Sequence, residues 1–255
     1  MFLLADFFIE FFLVVLYTIS VGELYIVATP IGNLGDITYR ALETLKSVDA
    51  VACEDTKHTL ELLTHFEIKK PLIRCDAFKE EFAAQKIIRM LQEGQNVAFA
   101  SDAGTPAISD PGSVLVKMVR EAGFTVVPIP GPSAFATLVS VAGPGGKTII
   151  FEGFLSPSPG KRRKRLRELL ATGDAFVLYE SPYRILKLLN DLADIESERR
   201  VVVGRELTKL HEEIVDGTAA EILENFGSRE KILGEFSLFV AGCKSSKELE
   251  KNSDN

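Results

Sequence analysis

The chain has 255 residues, of which 46% are hydrophobic and 25% charged, a composition usual for a globular protein of one large or two small domains. Acidic residues outnumber basic ones by 36 to 29, and the net charge of −7 excludes a protein that binds nucleic acid through its overall charge. Its cysteines, Cys53, Cys75 and Cys243, include no Cys-x-x-Cys pair, so we expect reduced thiols in a cytoplasmic protein.

Residues 1–21 form an apolar extension before the first organised segment. Asp6 and Glu10 interrupt it, and the unbroken apolar run at 11–17 is shorter than the roughly 20 residues that cross a bilayer, so we expect no stable membrane span. Three interpretations stay open: a membrane-associating extension, a poor signal sequence, and a translation start placed too early. The last is favoured because Val21 directly precedes GELYIVATP. A GUG start codon that is read as an internal codon appears in the sequence as valine.

The first domain is predicted over residues 22–143. Five short apolar runs, LYIVAT, DAVACE, PLIRC, NVAFAS and TVVPIP, are typical of buried strands, and helical patterns such as ITYRALETLKSV and FAAQKIIRMLQEG separate them. Strands that alternate with crossover helices predict an α/β domain with a parallel, doubly wound sheet.

A second α/β domain is predicted over residues 144–243. The segment GPGGK (143–147) marks the expected hinge, and the runs TIIFEGFL, AFVLYES, RRVVVGREL, EEIVDG and EFSLFVAG follow it as strands. The short connection between VVVGREL and EEIVDG predicts a hairpin, and therefore a mixed sheet. Residues 244–255 are polar, and we expect them to form a disordered tail.

Three loops of the first domain share one composition. TPIGNLGD (29–36), SDAGTP (101–106) and PGPSA (130–134) each follow a strand, contain Pro and Gly, and precede a helix. Because parallel strands place their carboxyl ends at one edge of the sheet, these loops should converge on one ligand cleft. None matches a triphosphate-binding or dinucleotide-binding loop and none carries Lys or Arg, which favours an uncharged or cationic small molecule.

The stretch SDAGTPAISDPG (101–112) divides into two parts. Asp110 and Pro111 are predicted to cap and begin the following helix, so the second part has a local structural role. The first part, Asp102 to Pro106, has no such role, and Gly104 would let a ligand approach the main chain closely.

Six segments in order resemble the tetrapyrrole methylase superfamily of S-adenosylmethionine-dependent enzymes: LYIVATPIGNLGDIT, ACEDTKHT, SDAGTPAISDPG, PGPSA, FEGFL and GEFSLFVAG. The match runs from about Glu23 to Gly242. More narrowly, it resembles the branch that 2'-O-methylates the ribose of a cytidine in the decoding region of 16S rRNA. The resemblance implies two α/β domains that enclose the cofactor between them, a homodimer, and 16S rRNA or the small ribosomal subunit as partner.

The resemblance also implies which residues line the cofactor pocket. They are Pro30, Asp102, Ala103, Gly104, Thr105, Ser133 and Ala134 and, from the second domain, Tyr179, Glu180, Gly217 and Thr218. S-adenosylmethionine carries a sulfonium cation and an amino acid group, so Gly-rich loops with carbonyl groups and one carboxylate suit it better than a basic loop. Methyl transfer is an in-line displacement, so the enzyme's main task would be to hold nucleophile and methyl group in line.

A ribose hydroxyl is a poor nucleophile until its proton begins to leave, so a nearby base or charge stabiliser is expected. Glu54 and Asp55 in CEDTKHT are the favoured acceptor-side carboxylates, and Arg205 and Glu206 in GRELTK are the alternatives. Structural roles stay open for both motifs: a helix cap in EDT and an ion pair at a strand end in GREL.

The segment KRRKRLR (161–167) is the strongest independent indication of a nucleic-acid partner, because six of its seven residues are basic in an acidic chain. It lies at the predicted start of a helix, where the macrodipole disfavours cations. We therefore expect an RNA phosphate backbone to compensate Lys161, Arg162, Arg163 and Arg165. A solvated helix face is the alternative.

Two other functions stay open. One is methylation of a tetrapyrrole such as a precorrin, and the other is a non-catalytic role in RNA binding or ribosome assembly. His58, His65 and His211 show no metal-ligand arrangement, so no metal site is predicted.

Overall fold

The computed structural model describes residues 21–243. Residues 1–20 of the predicted extension and the predicted tail at 244–255 lie outside the described residues. The described chain divides into two units, one of residues 21–30 and 34–132 and the other of residues 31–33 and 133–243. No helix within residues 21–243 has the length and apolar character that a membrane span requires.

The first unit alternates strands with helices, as predicted. Its strands are β1 (Leu24–Val27), β2 (Ala50–Cys53), β3 (Leu72–Arg74), β4 (Val97–Ala100) and β5 (Val126–Ile129). Its helices are α1 (Tyr39–Ser47), α2 (Thr56–His65), α3 (Glu80–Gln92) and α4 (Ser113–Glu121), and a short 3-10 helix (Leu34–Asp36) precedes α1. The strands pair in parallel in the order β3-β2-β4-β1-β5, which confirms the predicted doubly wound sheet.

The central strands of this sheet are apolar because both of its faces are covered. Every residue of β2 and β4 is buried. Val97 and Phe99 of β4 belong to one apolar cluster, whereas Ala98 and Ala100 belong to another. Successive side chains of a strand point to opposite faces, so the two clusters are the two layers of core on either side of the sheet.

The second unit contains the predicted mixed sheet. Its helices are α5 (Ala134–Val141), α6 (Pro159–Ala171), α7 (Ile185–Glu196) and α8 (Ala219–Gly227). Its strands are β6 (Ile149–Phe154), β7 (Ala175–Glu180), β8 (Arg200–Arg205), β9 (Glu213–Thr218) and β10 (Phe236–Val240), in the order β6-β7-β10-β8-β9. β6 and β7 are parallel and the other pairs are antiparallel, including the predicted β8–β9 hairpin.

The two units divide earlier in the chain than the predicted boundary at residue 143. Helix α5, which the sequence assigned to the first domain, belongs to the second unit. The reason is packing: Leu138 of α5 is fully buried in a cluster with Val177, Val202 and Phe239 of the second sheet. The segment at 143–147 therefore connects α5 to β6 within one unit and is not the predicted hinge between domains.

Helix α4 begins differently from the prediction. Its N-cap residue is Gly112, so Pro111 precedes the helix and Asp110 does not cap it. The cap comes from Glu80 at the start of α3, whose Oε1 accepts hydrogen bonds from the amides of Gly112 and Leu115 at 2.8 and 2.9 Å. A carboxylate from a neighbouring helix thus satisfies two of the amides that a helix start leaves unpaired.

Candidate functional site

The loops that follow β1, β4 and β5 meet at the carboxyl edge of the first sheet, as predicted. Thr29 and Gly104 exchange two main-chain hydrogen bonds, with N···O distances of 2.9 and 3.0 Å. The Thr105 hydroxyl donates to the Pro132 carbonyl oxygen at 3.1 Å. Hydrogen bonds therefore join the three loops directly.

Two buried hydroxyl groups fix the turn within SDAGTP. The Ser101 Oγ donates to the Gly104 carbonyl oxygen at 2.7 Å, and the Thr29 Oγ1 donates to the Ser101 carbonyl oxygen at 2.9 Å. Gly104 has a φ of 78°, in the left-handed region that glycine adopts without steric cost. The main chain around residues 102–105 is consequently held in one conformation from its buried side.

Asp102 links the loop after β4 to the loop after β2, its neighbour in the sheet. The Asp102 Oδ1 accepts a hydrogen bond from the Asp55 amide at 3.1 Å. The sequence predicted no local role for this carboxylate because its partner lies 47 residues earlier. The same contact brings the two acidic motifs, EDT and SDAG, together at one edge.

Carboxylates accumulate at this edge. Burial raises the pKa of Glu54, and the negative charges of Asp102, Asp110 and Asp76 raise it further. Burial also raises the pKa of Asp110, again with a contribution from Asp102. A cluster of mutually repelling carboxylates holds protons more readily than isolated carboxylates and attracts cations.

Asp55 differs from Glu54 in its role. It is the N-cap residue of α2, and its Oδ1 accepts a hydrogen bond from the Lys57 amide at 2.8 Å. This hydrogen bond lowers the pKa of Asp55. Asp55 is therefore a structural cap, as the alternative interpretation allowed, and Glu54 is the carboxylate of this pair with the pKa shifted toward neutrality.

The remaining candidates for the cofactor site lie in the second unit. They occupy the carboxyl ends of two strands and the start of one helix: Ser133, Ala134, Tyr179, Glu180, Gly217 and Thr218. Gly217 and Thr218 have local structural roles as well. Thr218 forms a capping box with Glu221 at the start of α8, and a Cβ on Gly217 would lie 3.1 Å from the Glu221 Oε2.

Glu180 has an unusual environment in the second unit. Its side chain is fully buried, and its Oε1 accepts hydrogen bonds from the Arg184 Nε and the Ser181 amide, both at 2.7 Å. Its Oε2 has no hydrogen-bond partner among the described residues. A buried acceptor without a partner costs about 1–3 kcal/mol, so this oxygen is a candidate acceptor for a ligand.

The GRELTK motif forms the ion pairs that its structural interpretation predicted. Arg205 contacts Glu213 at 3.4 Å, and Lys209 contacts Glu206 at 2.9 Å. The motif also has a feature that the sequence did not reveal: Glu206 and Thr208 have φ values of 51° and 67°. Residues with side chains rarely adopt the left-handed region, so this segment is strained.

Three of the four basic residues predicted to bind RNA have internal partners. Arg162 is 4% exposed, and its Nε donates to the Asp191 Oδ2 at 2.7 Å. Arg163 also contacts Asp191, at 2.9 Å, and Arg165 contacts both carboxylate oxygens of Glu152 at 2.7 Å. Carboxylates of α7 and β6 therefore already compensate these arginines within the chain, which the sequence did not reveal.

Two basic residues of α6 differ from these arginines. Lys161 and Arg167 are exposed, and neither forms an ion pair within residues 21–243. Arg165 lies between these two groups, because it forms an ion pair with Glu152 and its side chain is still 44% exposed. Only some of the basic residues in KRRKRLR therefore present a positive charge to solvent.

The two-unit α/β fold is that of known methyltransferases. The solved structure of the methyltransferase CobJ matches it with a TM-score of 0.66 and 18% sequence identity, over 87% of this chain and 94% of that chain. The family model described as Tetrapyrrole (Corrin/Porphyrin) Methylases matches residues 23–223, and the chain belongs to this family. The superfamily that the six sequence segments predicted is thereby confirmed.

Within this family, the chain is similar to proteins that are named as ribosomal RNA methyltransferases. A protein of Borrelia garinii subsp. bavariensis named ribosomal RNA small subunit methyltransferase I is 47% identical over 219 residues, which span 86% of this chain and 98% of that protein. A protein of Escherichia coli O157:H7 with the same name is 46% identical over 233 residues, or 90% of this chain and 81% of that protein.

Proposed function

We propose that the chain is an S-adenosylmethionine-dependent methyltransferase that 2'-O-methylates the ribose of a cytidine in the decoding region of 16S rRNA. The observation that carries the proposal is the 46–47% identity to proteins named ribosomal RNA small subunit methyltransferase I, over most of the chain. The resemblance of the sequence motifs supports the ribose of a cytidine as the methyl acceptor.

The carboxyl edge of the first sheet fits the cofactor. S-adenosylmethionine carries a positive sulfonium and supplies an electrophilic methyl group when bound. The loops after β1, β4 and β5 contain no Lys or Arg. Burial and then the negative charges of neighbouring carboxylates raise the pKa of Glu54, and those charges suit a cation. A Cβ on Gly131 would lie 3.0 Å from the Ala28 Cβ, so glycine lets the loop after β5 pack closely on β1.

The residues that would hold the cofactor at this edge are Pro30, Asp102, Ala103, Gly104 and Thr105. Asp102 supplies a carboxylate for a cationic group, and the turn at Gly104 presents main-chain groups in a fixed conformation. The resemblance implies six further cofactor-binding residues, all in the second unit: Ser133, Ala134, Tyr179, Glu180, Gly217 and Thr218. Among them, Glu180 has the buried oxygen that lacks a hydrogen-bond partner within residues 21–243.

Glu54 is the proposed general base. It would accept the proton that the ribose 2'-hydroxyl loses as the oxygen attacks the methyl carbon. A carboxylate can accept a proton only when it is ionised, so the rate should rise as the pH increases through the pKa of Glu54. Because burial raises that pKa, the rise should occur at a higher pH than for an ordinary glutamate.

The proposed activity can be tested with purified protein, S-adenosylmethionine labelled on the methyl group, and small ribosomal subunits from cells that lack the gene. Mass spectrometry of nuclease digests should locate one new ribose methyl group on a cytidine. Glu54→Gln should lower the single-turnover rate at saturating cofactor by about 10²–10⁴-fold. Glu61→Gln, an exposed carboxylate on α2, is the matched control and should keep the wild-type rate.

Three outcomes would contradict the proposal. Methyl transfer to a precorrin or uroporphyrinogen but not to ribosomal RNA would favour a tetrapyrrole methylase. Binding of RNA without methyl transfer to any acceptor would favour a non-catalytic role in ribosome assembly. A methyl group found on a base would exclude the ribose as acceptor.

The proposed RNA contacts of α6 rest on its uncompensated charges. Lys161 and Arg167 are the better phosphate ligands, with Arg165 as a third contact, because Arg162 and Arg163 are engaged with Asp191. The double substitution Lys161→Gln with Arg167→Gln should weaken RNA binding and reduce the slope of log affinity against log salt by about 1.4–1.8. An unchanged slope would show that α6 does not contact phosphates.

The cytoplasmic homodimer predicted from the sequence stays a proposal. Its support is the resemblance to the superfamily and the expectation of reduced cysteines. Sedimentation velocity should give a particle of twice the 28.0 kDa chain mass, and a 28.0 kDa particle at micromolar concentration would contradict it.

A further inference from the structure

An aromatic and basic surface runs along the outward face of α3. It consists of Phe78, Phe82, Lys86 and Arg89, and we call it the α3 stripe. Phe78 is 99% exposed and Phe82 is 75% exposed. Phe82, Lys86 and Arg89 are spaced four and three residues apart, which places them on one face of α3, and Phe78 lies in the turn directly before that helix. Single exposed apolar side chains are common, but two exposed phenylalanines at the start of a helix face that also carries two cations are less usual.

The turn that carries Phe78 is rigid. Asp76 is 8% exposed, and its Oδ1 accepts hydrogen bonds from the amides of Phe78 and Lys79, both at 3.1 Å. Its Oδ2 accepts a hydrogen bond from the Arg74 Nε at 2.6 Å. The ring of Phe78 is therefore presented to solvent from a fixed main chain.

The same turn is anchored to the start of α4. Glu80 lies between Phe78 and Phe82 in sequence and is 7% exposed, because its carboxylate binds the amides of Gly112 and Leu115. Helix α3 follows β3, which runs parallel to β2 and β4. The aromatic end of the α3 stripe thus lies at the same edge of the sheet as the carboxylate cluster around Glu54.

The charges of this surface are available to an external partner. Lys79, Lys86 and Arg89 are exposed, and none of them forms an ion pair within residues 21–243. Glu81 is the exposed carboxylate of the same helical turn. This positive excess in a chain of net charge −7 favours an anionic partner, and the two exposed rings favour one with flat apolar groups.

We propose that the α3 stripe binds single-stranded RNA, with unpaired bases stacked on Phe78 and Phe82 and phosphates paired with Lys86 and Arg89 and with the neighbouring Lys79. This inference rests on the proposed function, since it assigns the stripe to the nucleotides that flank the methylated one. Exposed aromatic rings recognise unstacked bases and basic side chains follow the backbone in this mode of binding. A second copy of the chain is a poorer occupant, because a two-fold contact would bring the same cations together.

The test measures binding of a fluorescein-labelled single-stranded oligoribonucleotide by anisotropy. Phe78→Ala with Phe82→Ala should weaken binding at least tenfold. Phe78→Leu with Phe82→Leu keeps the apolar character and should still lose most of that affinity, because leucine has no π-face. Lys86→Gln with Arg89→Gln should reduce the salt slope by about 1.4. Binding of a blunt RNA duplex, whose bases are already stacked, should be equal for the wild type and the two phenylalanine variants.

Cofactor binding by calorimetry separates failure of this inference from failure of the proposed function. All stripe variants should bind S-adenosylmethionine like the wild type, since the stripe contacts only RNA. If the wild type methylates the small subunit and the alanine variant binds the oligoribonucleotide with unchanged affinity, the stripe assignment is wrong and the proposed function stands. If the alanine variant changes the sedimentation coefficient but not RNA affinity, the stripe is a contact between copies. If the wild type binds no RNA and methylates none, both proposals are wrong.

Discussion

Replacing Glu80 should loosen the start of α4 and with it the loop that carries Asp102. The Glu80 carboxylate is 7% exposed and accepts the amide hydrogen bonds of Gly112 and Leu115 at 2.8 and 2.9 Å. Glu80→Ala leaves two buried donors without a partner, at about 1–3 kcal/mol each. Because one oxygen serves both donors, we expect a combined loss of about 2–4 kcal/mol in the free energy of unfolding.

Glu80→Gln separates the hydrogen bonds from the charge. Glutamine keeps an oxygen that can accept both bonds and loses only the favourable interaction of a negative charge with a helix start, about 0.3–2 kcal/mol. The order of stability should therefore be wild type, then Glu80→Gln, then Glu80→Ala. Glu81→Ala is the matched control, because Glu81 is the next residue and is exposed, and its effect should stay within about 0.5 kcal/mol.

Hydrogen exchange at the Gly112 and Leu115 amides is the direct assay, and urea denaturation gives the change for the unit as a whole. A loss of about 2–4 kcal/mol corresponds to roughly 30- to 700-fold faster exchange. Unchanged exchange at both amides in Glu80→Ala would refute the assignment of Glu80 as the cap. An equal effect of Glu81→Ala would show that the helix responds to its overall charge and not to these two hydrogen bonds.

Three further predictions concern charge, pH and backbone conformation. Arg162→Met should lower the free energy of unfolding, measured by thermal denaturation, by about 3 kcal/mol, because it leaves the buried Asp191 without its closest partner. Adding Asp191→Leu should restore most of this stability, and no recovery in the double variant would contradict the prediction. The pKa of Glu54 is raised in the folded state. At a pH above that pKa the side chain is ionised and destabilises the fold, whereas at a pH below the unfolded-state pKa it is protonated and has no such effect. Glu54→Gln should therefore raise the Tm at pH 7.5 more than at pH 4, and an equal shift at both would refute the raised pKa. Gly104→Ala should weaken cofactor binding at least tenfold in calorimetry, whereas Gly123→Ala, also at positive φ but next to the amino end of β5, should not; equal losses would indicate a general folding defect.

The strands of the first unit could be predicted because their signal is local. Each residue of Ala50–Cys53 and Val97–Ala100 is buried, so a continuous apolar run identifies the strand without knowledge of its neighbours. The parallel arrangement then follows from the alternation with helices, and the convergence of the loops follows from the parallel arrangement. The hydrogen bonds between Thr29 and Gly104 join two of these loops directly.

The features that the sequence missed depend on pairs of residues far apart in the chain. Glu80 caps α4 from 32 residues upstream of Gly112, so the local candidates Asp110 and Pro111 were reasonable but wrong. The basic run at 161–167 looked uncompensated because its carboxylate partners lie elsewhere, including Asp191 at 29 residues' distance from Arg162. The sequence gives the number of charged residues, but it does not show which of them form ion pairs.

The candidate site was predictable in its chemistry and less so in the assignment of roles. Glu54 and Asp55 are adjacent in sequence, and only the structure shows that one caps a helix while the other has a raised pKa. The strained backbone at Glu206 and Thr208 had no sequence signal, because neither residue is a glycine. Sequence patterns locate such a segment at a strand end, but the backbone angles come from the surrounding packing.

The position of β10 has a consequence for how the protein is made. This strand is the last that the structure describes, yet it lies in the middle of the second sheet, between β7 and β8, and all five of its residues are buried. Until the ribosome has synthesised it, the β6–β7 pair and the β8–β9 hairpin each have an open edge where β10 belongs. Such edges accept strands from other chains. The nascent second unit should therefore pass through a stage that is prone to strand exchange and dependent on chaperones, and that ends when β10 joins the two halves of the sheet.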